Sequence, residues 1–125
     1  MTKEQFHSFI KLVRLMHHKQ QESYSVRNSN SNIVAQAKAL EAKVAGKFRE
    51  FIQTDSQFYE WQNRFVALVK EVRALQAMYY STRYESVLEK CRAIETKLTN
   101  SIIWLEKNHP QIFEPIEKQT SLYDY

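Results

Sequence analysis

The chain contains an internal repeat, and this repeat limits its possible folds more than any other feature. Residues 65–105 match residues 9–51, and the first copy has two extra residues after its turn. Beyond that turn, residues 38–44 match residues 92–98. The matched pairs before the turn are Leu12 and Leu68, Val13 and Val69, Met16 and Val72, Gln20 and Gln76, Tyr24 and Tyr80, Ser25 and Ser81, and Arg27 and Arg83. Such self-similarity is typical of a repeated supersecondary unit, so the sequence predicts one helical hairpin that occurs twice.

Few residues in the chain suit tight turns, and this favours long helices. The 125 residues include one Gly and two Pro, too few for the many turns of a β-sandwich or barrel. Seven Phe, seven Tyr and two Trp supply the side chains of one core. The single Cys91 excludes an internal disulfide, and the sequence has neither a signal peptide nor an apolar run of membrane-spanning length. We therefore expect one soluble, cytoplasmic domain over residues 1–125.

Apolar residues recur every three or four positions in four segments, which predicts four amphipathic helices. The first hairpin should cover residues 3–53 and the second residues 55–108. An Asn- and Ser-rich run over residues 27–32 should separate the first two helices. Capping boxes, one formed by Thr54 and Gln57 and the other by Thr82 and Glu85, should begin the third and fourth helices.

The apolar stripe of each helix predicts its core residues. The third helix has a 3.5-residue repeat, typical of coiled-coil-like packing, at Phe58, Trp61, Phe65, Leu68, Val72, Leu75 and Tyr79. In the other helices the predicted core residues are Phe6, Phe9, Ile10, Val13, Met16 and Tyr24, then Ile33, Ala37, Leu40, Val44, Phe48 and Phe51, and finally Val87, Cys91, Ile94, Leu98, Ile102 and Leu105. Gly46 costs its helix about 1 kcal/mol relative to Ala, which indicates either a close neighbour or tolerated slack.

Short connections between four helices of similar length predict an up-and-down arrangement. We therefore expect an all-α antiparallel four-helix bundle built from two tandem similar helical hairpins, plus a short C-terminal tail over residues 109–125. Pro110 should end the fourth helix, because a proline disfavours helix at the preceding residue. The tail should pack as a strap across one end of the bundle through Ile112, Phe113 and Ile116, and its terminus should fray.

Both hairpin turns then lie at the same end of the bundle, and the motif Tyr-Ser-x-Arg precedes each of them. Arg presents a planar fork of donors to phosphate or carboxylate, Tyr offers a stacking face, and helix N-termini add partial positive charge. A candidate site for an anion or a partner therefore comprises Tyr24, Arg27, Lys38, Tyr80, Arg83 and Arg92. In the alternative interpretation, each Tyr closes the core and each Arg caps its own helix.

Positive charge is concentrated in the first copy of the repeat. Residues 1–54 contain nine Lys or Arg and four acidic residues, whereas residues 55–125 contain nine and ten. A formal net charge of +4 permits binding to nucleic acid or another polyanion. The basic residues are spread around two helices, however, and the sequence has neither zinc-finger spacing nor the aromatic motif of RNA-binding sheets. Solvated helix faces are therefore the alternative explanation of this charge.

The sequence offers little for catalysis. Residues 4–7 and 106–109 have the Glu-x-x-His spacing of di-iron bundles, but both should lie at a frayed end of the bundle and not at its middle. The adjacent His17 and His18 should point to different sides of a helix, and Cys91 occupies a core position. We therefore expect no enzyme activity, no catalytic residue, no metal and no cofactor, and no small-molecule substrate is indicated.

The second copy resembles a known group of small proteins. The resemblance rests on Leu68, Val69, Lys70, Val72, Arg73, Gln76, Tyr79, Tyr80, Thr82, Arg83, residues 88–92, Glu95, Lys97 and Leu98. This pattern is similar to small uncharacterised helical-hairpin proteins encoded by phages and mobile elements of gut bacteria. The resemblance covers the second copy well and the first weakly. It implies a mobile-element accessory protein and supplies no activity or site residues.

These observations together predict a non-catalytic helical interaction or accessory protein that binds a protein partner or self-associates. The apolar positions in surplus of the core, which would serve self-association, are Leu12, Leu15, Tyr59 and Trp104. Binding of nucleic acid or another polyanion, through the basic first half and the paired Tyr-Ser-x-Arg corners, is the alternative. No membrane partner is expected.

Overall fold

The structure, a computed structural model, describes residues 3–25, 31–53 and 60–113. Its elements are α1 (Lys3–Ser25), α2 (Ser31–Gln53), α3 (Glu60–Thr82), α4 (Glu85–Asn108) and a 3₁₀-helix (Pro110–Ile112). The predicted all-α class is confirmed. Several predicted features lie outside the described residues, namely Arg27, the capping box of Thr54 and Gln57, Phe58, Tyr59 and Ile116.

The four helices pack as two antiparallel hairpins that face each other. Helix α1 contacts α2, and α3 contacts α4. Side chains join the hairpins, since the Arg14 guanidinium on α1 donates to the Glu106 carboxylate on α4 at 3.1 Å. On the other side, the Lys70 ammonium on α3 lies 5.8 Å from the centroid of the Phe48 ring on α2. The two hairpins thus form the predicted four-helix bundle.

Helices α1 and α3 run parallel and meet across the centre of the bundle. Near their N-termini, the rings of Phe9 and Phe65 pack edge to face with centroids 6.2 Å apart. Toward their C-termini, the side-chain amides of Gln20 and Gln76 hydrogen-bond to each other. The C-terminal ends of α1 and α3 therefore lie at the same end of the bundle, which we call the corner end.

Most of the predicted core residues are buried. On α1 the buried apolar residues are Phe6, Phe9, Ile10, Val13 and Met16, and on α4 they are Val87, Cys91, Ile94, Leu98, Ile102 and Leu105. All eleven were predicted from helical spacing, which is reliable here because each helix presents one continuous apolar stripe. Tyr24 is a correction: it is 61% exposed, since Gln20 and not a tyrosine closes the α1 stripe.

The predicted core stripe of α3 is confirmed at Phe65 and Val72, and elsewhere the buried face is rotated toward Val69 and Gln76. The buried residues of α3 are Phe65, Val69, Val72 and Gln76. The predicted positions Leu68 and Leu75, like Trp61 and Tyr79, are only partly buried. Both stripes have helical spacing, and the observed one turns Val69 and Gln76 toward α1. Gln76 is polar and is therefore not counted when core residues are predicted from apolar spacing. The apolar residues alone favoured the neighbouring face of α3.

The turn between α3 and α4 also differs from the predicted capping box of Thr82 and Glu85. Helix α3 continues through Thr82, whose hydroxyl donates to the Met78 carbonyl at 2.9 Å and accepts from the Tyr84 N–H at 3.3 Å. Helix α4 then begins after Tyr84 without a side-chain cap. Between them Arg83 adopts a left-handed conformation, with φ of 59°, and its N–H bonds the Tyr79 carbonyl at 2.7 Å. Glycine is usual at this position because it has no Cβ.

The beginning of the tail packs back onto the bundle end opposite the corner end. The fourth helix ends before Pro110, as predicted. Ile112, in the 3₁₀-helix, is 1% exposed and belongs to the core. The next residue, Phe113, packs against the core with its ring 4.1 Å below the Arg14 guanidinium. These contacts are the described part of the predicted strap.

Candidate functional site

The corner end brings together several of the predicted site residues. Tyr24 and Tyr80 are 61% and 59% exposed, and Tyr80 lies near enough to contribute to the raised pKa of Tyr24. Lys38 and Arg92 are exposed on α2 and α4, three residues before Glu41 and Glu95 respectively. Arg27, the remaining residue of the first motif, lies outside the described residues.

Arg83 is held in place by its own backbone and by two aromatic rings. Its guanidinium lies 5.1 Å from the centroid of the Tyr80 ring and 5.4 Å from that of Tyr79. No ion pair in the described part of the chain involves Arg83. A cation over an aromatic face is attracted by the ring quadrupole, so this geometry presents the guanidinium at the surface in a defined position.

Other large side chains at the corner end are also exposed. Met78 is 48% exposed and Tyr84 is 64% exposed, in addition to the two phenols described above. We call the group Tyr24, Met78, Tyr80, Arg83 and Tyr84 the corner surface. It is formed by the last turn of α1, the last two turns of α3 and the residues that join α3 to α4.

A buried polar network lies beneath the corner surface. Within each hairpin a Gln donates to a Glu: Gln20 Nε2 to Glu41 Oε2, and Gln76 Nε2 to Glu95 Oε2, both at 2.6 Å. Between hairpins, the two amides exchange hydrogen bonds at 3.1 and 3.2 Å. Gln20 is 2% and Gln76 is 4% exposed. The same pair of residues therefore recurs in both copies of the repeat, and the copies meet through it.

Arg73 breaks the symmetry of this network. Its guanidinium donates to Gln76 Oε1 and lies 3.4 Å from Glu41 Oε1, so it joins the second hairpin to the first. The residue that matches Arg73 in the first copy is His17. The network holds two carboxylates and one guanidinium, so its own formal charge is negative.

Tyr24 connects the network to the surface. Its hydroxyl donates to Glu95 Oε2 at 3.5 Å. Burial of the hydroxyl raises the pKa of Tyr24 well above its ordinary value, and the nearby Glu95, Tyr80 and Glu41 raise it further. These effects all disfavour the negatively charged phenolate of Tyr24, so its hydroxyl stays protonated and available as a donor.

The sequence interpretation missed this network, although the signal was present. Gln20 follows the core residue Met16 by four positions, and Gln76 follows Val72 by four. Two glutamines at core spacing in matched positions of a repeat indicate a polar pair at the centre of a bundle. The matched Glu41 and Glu95 would then be the partners.

His17 is buried beside the network. It is 3% exposed, and its Nε2 lies 2.7 Å from Thr99 Oγ1. The Thr99 hydroxyl donates its proton to the Glu95 carbonyl, so His17 Nε2–H is the donor to Thr99. His17 Nδ1 is then a buried acceptor without a partner among the described residues. Burial, with a smaller contribution from His18, lowers the pKa of His17 to about 4, so the ring is neutral.

The residues considered for metal or thiol chemistry have other contacts. Glu106 pairs with Arg14, and the His109 ring stacks on Trp61 with centroids 4.7 Å apart. Burial raises the pKa of the Cys91 thiol, and Glu95 adds to this, which disfavours the nucleophilic thiolate. Within the described ranges, no group of three or more His, Cys, Asp or Glu side chains could hold a metal ion.

Comparison of the chain with protein-family models, curated proteins and solved structures gave no match. The resemblance to small helical-hairpin proteins of phages and mobile elements therefore stays a prediction. Across the described residues, no helix combines the length and the apolar character needed to cross a membrane.

Proposed function

We propose that this chain is a non-catalytic helical interaction module that docks a protein partner on its corner surface. The observation that carries the proposal is the exposure of four large side chains at one end of the bundle: Tyr24, Met78, Tyr80 and Tyr84. Tyr, Met and Arg are enriched in protein interfaces, so exposed residues of these types at one end of the bundle favour a docking role.

The corner surface also has the physical character of an interface centre. Tyr side chains bury a large area on binding at a small cost in conformational entropy, and each hydroxyl keeps a polar contact. Arg83 adds one fixed cation, and a carboxylate on the partner would form an ion pair with its guanidinium. The buried amide network beneath holds α1 and α3 together, which limits the rearrangement that binding would require.

A protein partner fits this surface better than nucleic acid does. Phosphate groups would approach Arg83, but the Glu95 carboxylate, which accepts from the Tyr24 hydroxyl, would repel a phosphate placed beside that phenol. Nucleic-acid binding through the corner and the basic first half is the second candidate. Exposed Lys38, Arg83 and Arg92 favour it.

Self-association has less support from the predicted apolar positions. Leu12 and Leu15 are partly buried and pack against the core, so they are not surplus residues. Tyr59 lies outside the described residues, and Trp104 is 46% exposed at the end opposite the corner. The proposal of a docked protein partner includes a cytoplasmic accessory role in a phage or mobile element. Identification of the partner would test that role.

Photo-crosslinking tests the docking surface. In the test variant a benzophenone amino acid replaces Tyr84, and the full chain is expressed in its native cells. In the control variant the same amino acid replaces Lys97, an exposed residue in the middle of α4. We expect a covalent adduct with one distinct protein at Tyr84, which Arg83→Ala diminishes, and no such adduct at Lys97. An adduct with a second copy of the chain would replace the proposal by self-association. Equal labelling at both positions, or none, would refute it.

Fluorescence anisotropy separates the two candidates. Labelled single- and double-stranded oligonucleotides are titrated with the protein across a salt series, with Arg83→Ala as the variant. Counterion release makes phosphate binding fall steeply with salt. We expect no salt-sensitive binding that depends on Arg83, and such binding would favour the nucleic-acid candidate.

A further inference from the structure

A cavity lies between α3 and α4 at the end opposite the corner. Its volume is about 270 Å³, and its walls are Trp61, Arg64, Phe65, Leu68, Ser101, Trp104 and Leu105. Five of these seven residues are aromatic or aliphatic. Small-molecule sites are concave and mostly apolar, with a few polar groups that fix orientation, and this cavity is at the small end of their range. Its size suits a ligand of one or two rings.

The aromatic walls of the cavity are fixed by their neighbours. The Trp61 ring stacks on His109 at 19° and packs edge-on against Phe6 with centroids 6.1 Å apart. The Trp104 ring lies 5.4 Å from the same His109 and 6.4 Å from Trp61. Trp104 is nevertheless 46% exposed and lines the cavity, so part of its indole is accessible to a ligand. A flat aromatic ligand would cover this face by stacking.

The polar groups of the cavity define the charge of the ligand. Arg64 on α3 is the one charged residue of the cavity wall described above, and Ser101 on α4 supplies a hydroxyl. Arg64 donates to Glu60 at 2.6 Å, but both side chains are more than three-quarters exposed. A surface pair of this kind is weak, so the guanidinium can exchange Glu60 for a carboxylate of the ligand.

We propose that this cavity is a binding site for a planar aromatic carboxylate. The ring stacks on Trp104 between α3 and α4, and the carboxylate accepts two hydrogen bonds from Arg64. The site is separate from the corner surface, and neither proposal depends on the other.

Nuclear magnetic resonance of the two indole N–H groups tests the site. The chain has two Trp residues, and both line the cavity, so both indole cross-peaks report on it. The labelled full chain is titrated with 2-naphthoate and with the neutral 2-naphthamide. We expect saturable shifts of both peaks and about tenfold tighter binding of the carboxylate, because its hydrogen bonds are charge-assisted.

Three variants make the test specific. Arg64→Gln should remove the preference for naphthoate over naphthamide, whereas Arg49→Gln, on an exposed part of α2, should keep it. Ser101→Leu should fill the cavity and weaken both ligands, with the helical spectrum unchanged. Absence of saturable indole shifts at millimolar ligand would overturn the proposal. Equal affinity for the two ligands, or a preference that survives Arg64→Gln, would overturn the assignment of a carboxylate.

Discussion

Replacing Gln76 by Leu should destabilise the bundle more than replacing Gln20, although the two residues occupy matched positions of the repeat. The Gln76 amide donates to Glu95 and Gln20 and accepts from Gln20 and Arg73. Its removal leaves the buried side-chain oxygen of Gln20 without a donor. A buried polar group without a partner costs about 1–3 kcal/mol. Because Glu95 and Arg73 are only partly buried and rehydrate, we expect a total loss of about 3 kcal/mol.

The matched substitution Gln20→Leu leaves no such group. Gln76 keeps Glu95 and Arg73 as partners, and Glu41 keeps Arg73 at 3.4 Å. We therefore expect a loss of about 1 kcal/mol, typical of hydrogen bonds whose partners stay satisfied. The double variant removes both ends of the amide pair and should lose less than the sum of the single variants, since neighbouring residues are coupled.

Urea unfolding followed by far-ultraviolet circular dichroism measures these losses. Gln36→Leu, at an exposed position of α2, is the control and should change the free energy of unfolding by less than about 0.5 kcal/mol. All variants should keep the denaturant dependence of the parent chain, because the surface exposed on unfolding is unchanged. Equal losses for Gln20→Leu and Gln76→Leu, or strict additivity in the double variant, would refute the role assigned to Arg73 and the amide pair.

Three further predictions concern single residues. In the folded chain His17 is neutral and has a pKa of about 4, below the ordinary value of 6.5. As the pH falls, the unfolded chain therefore binds a proton at this residue before the folded chain does. The free energy of unfolding should be constant above about pH 6.5 and fall by up to about 3 kcal/mol toward pH 4. Thermal melts across this range should show the loss, and His17→Leu should reduce it; a pH-independent melt would contradict the buried neutral ring. Gly46→Ala should stabilise the chain by about 0.5–1 kcal/mol, because no atom of a neighbouring element lies within 4 Å of where its Cβ would be. A lower free energy of unfolding in urea would mean that a neighbour does approach Gly46. Arg83→Gly should be more stable than Arg83→Ala by about 1 kcal/mol, since only Gly adopts a left-handed conformation without strain; equal stabilities would contradict the positive φ.

The sequence predicted those parts of the fold that depend on apolar spacing. Helix α4 shows this best, since all six predicted core residues are buried, from Val87 to Leu105. Its polar residues are all on the outside of the stripe, so periodicity and burial agree. The up-and-down arrangement also predicted that the first helix of each hairpin ends at the same end of the bundle, and the contact of Gln20 with Gln76 agrees for α1 and α3.

Prediction was less accurate where polar residues take core positions. Helix α3 has enough apolar residues to form a stripe on either of two adjacent faces, and the choice between the faces is made by Gln76. The energy of that choice comes from hydrogen bonds to Glu95, Gln20 and Arg73, which belong to three helices. Helical periodicity is a local property of the chain and carries no information about such partners. Tyr24 was likewise assigned to the core from its spacing, which carries no information about its hydrogen-bond partner Glu95.

The position of Tyr24 explains why the corner surface is both exposed and ordered. A tyrosine beyond the last core turn has no apolar neighbours to bury it, and in water it would sample several rotamers. Here Glu95 accepts from its hydroxyl, and Glu95 is itself held by Gln76 at the bundle centre. Arg83 similarly rests on two rings. Tyr24 and Arg83 thus have intramolecular contacts that limit their conformations, so part of the ordering cost of binding has been met during folding.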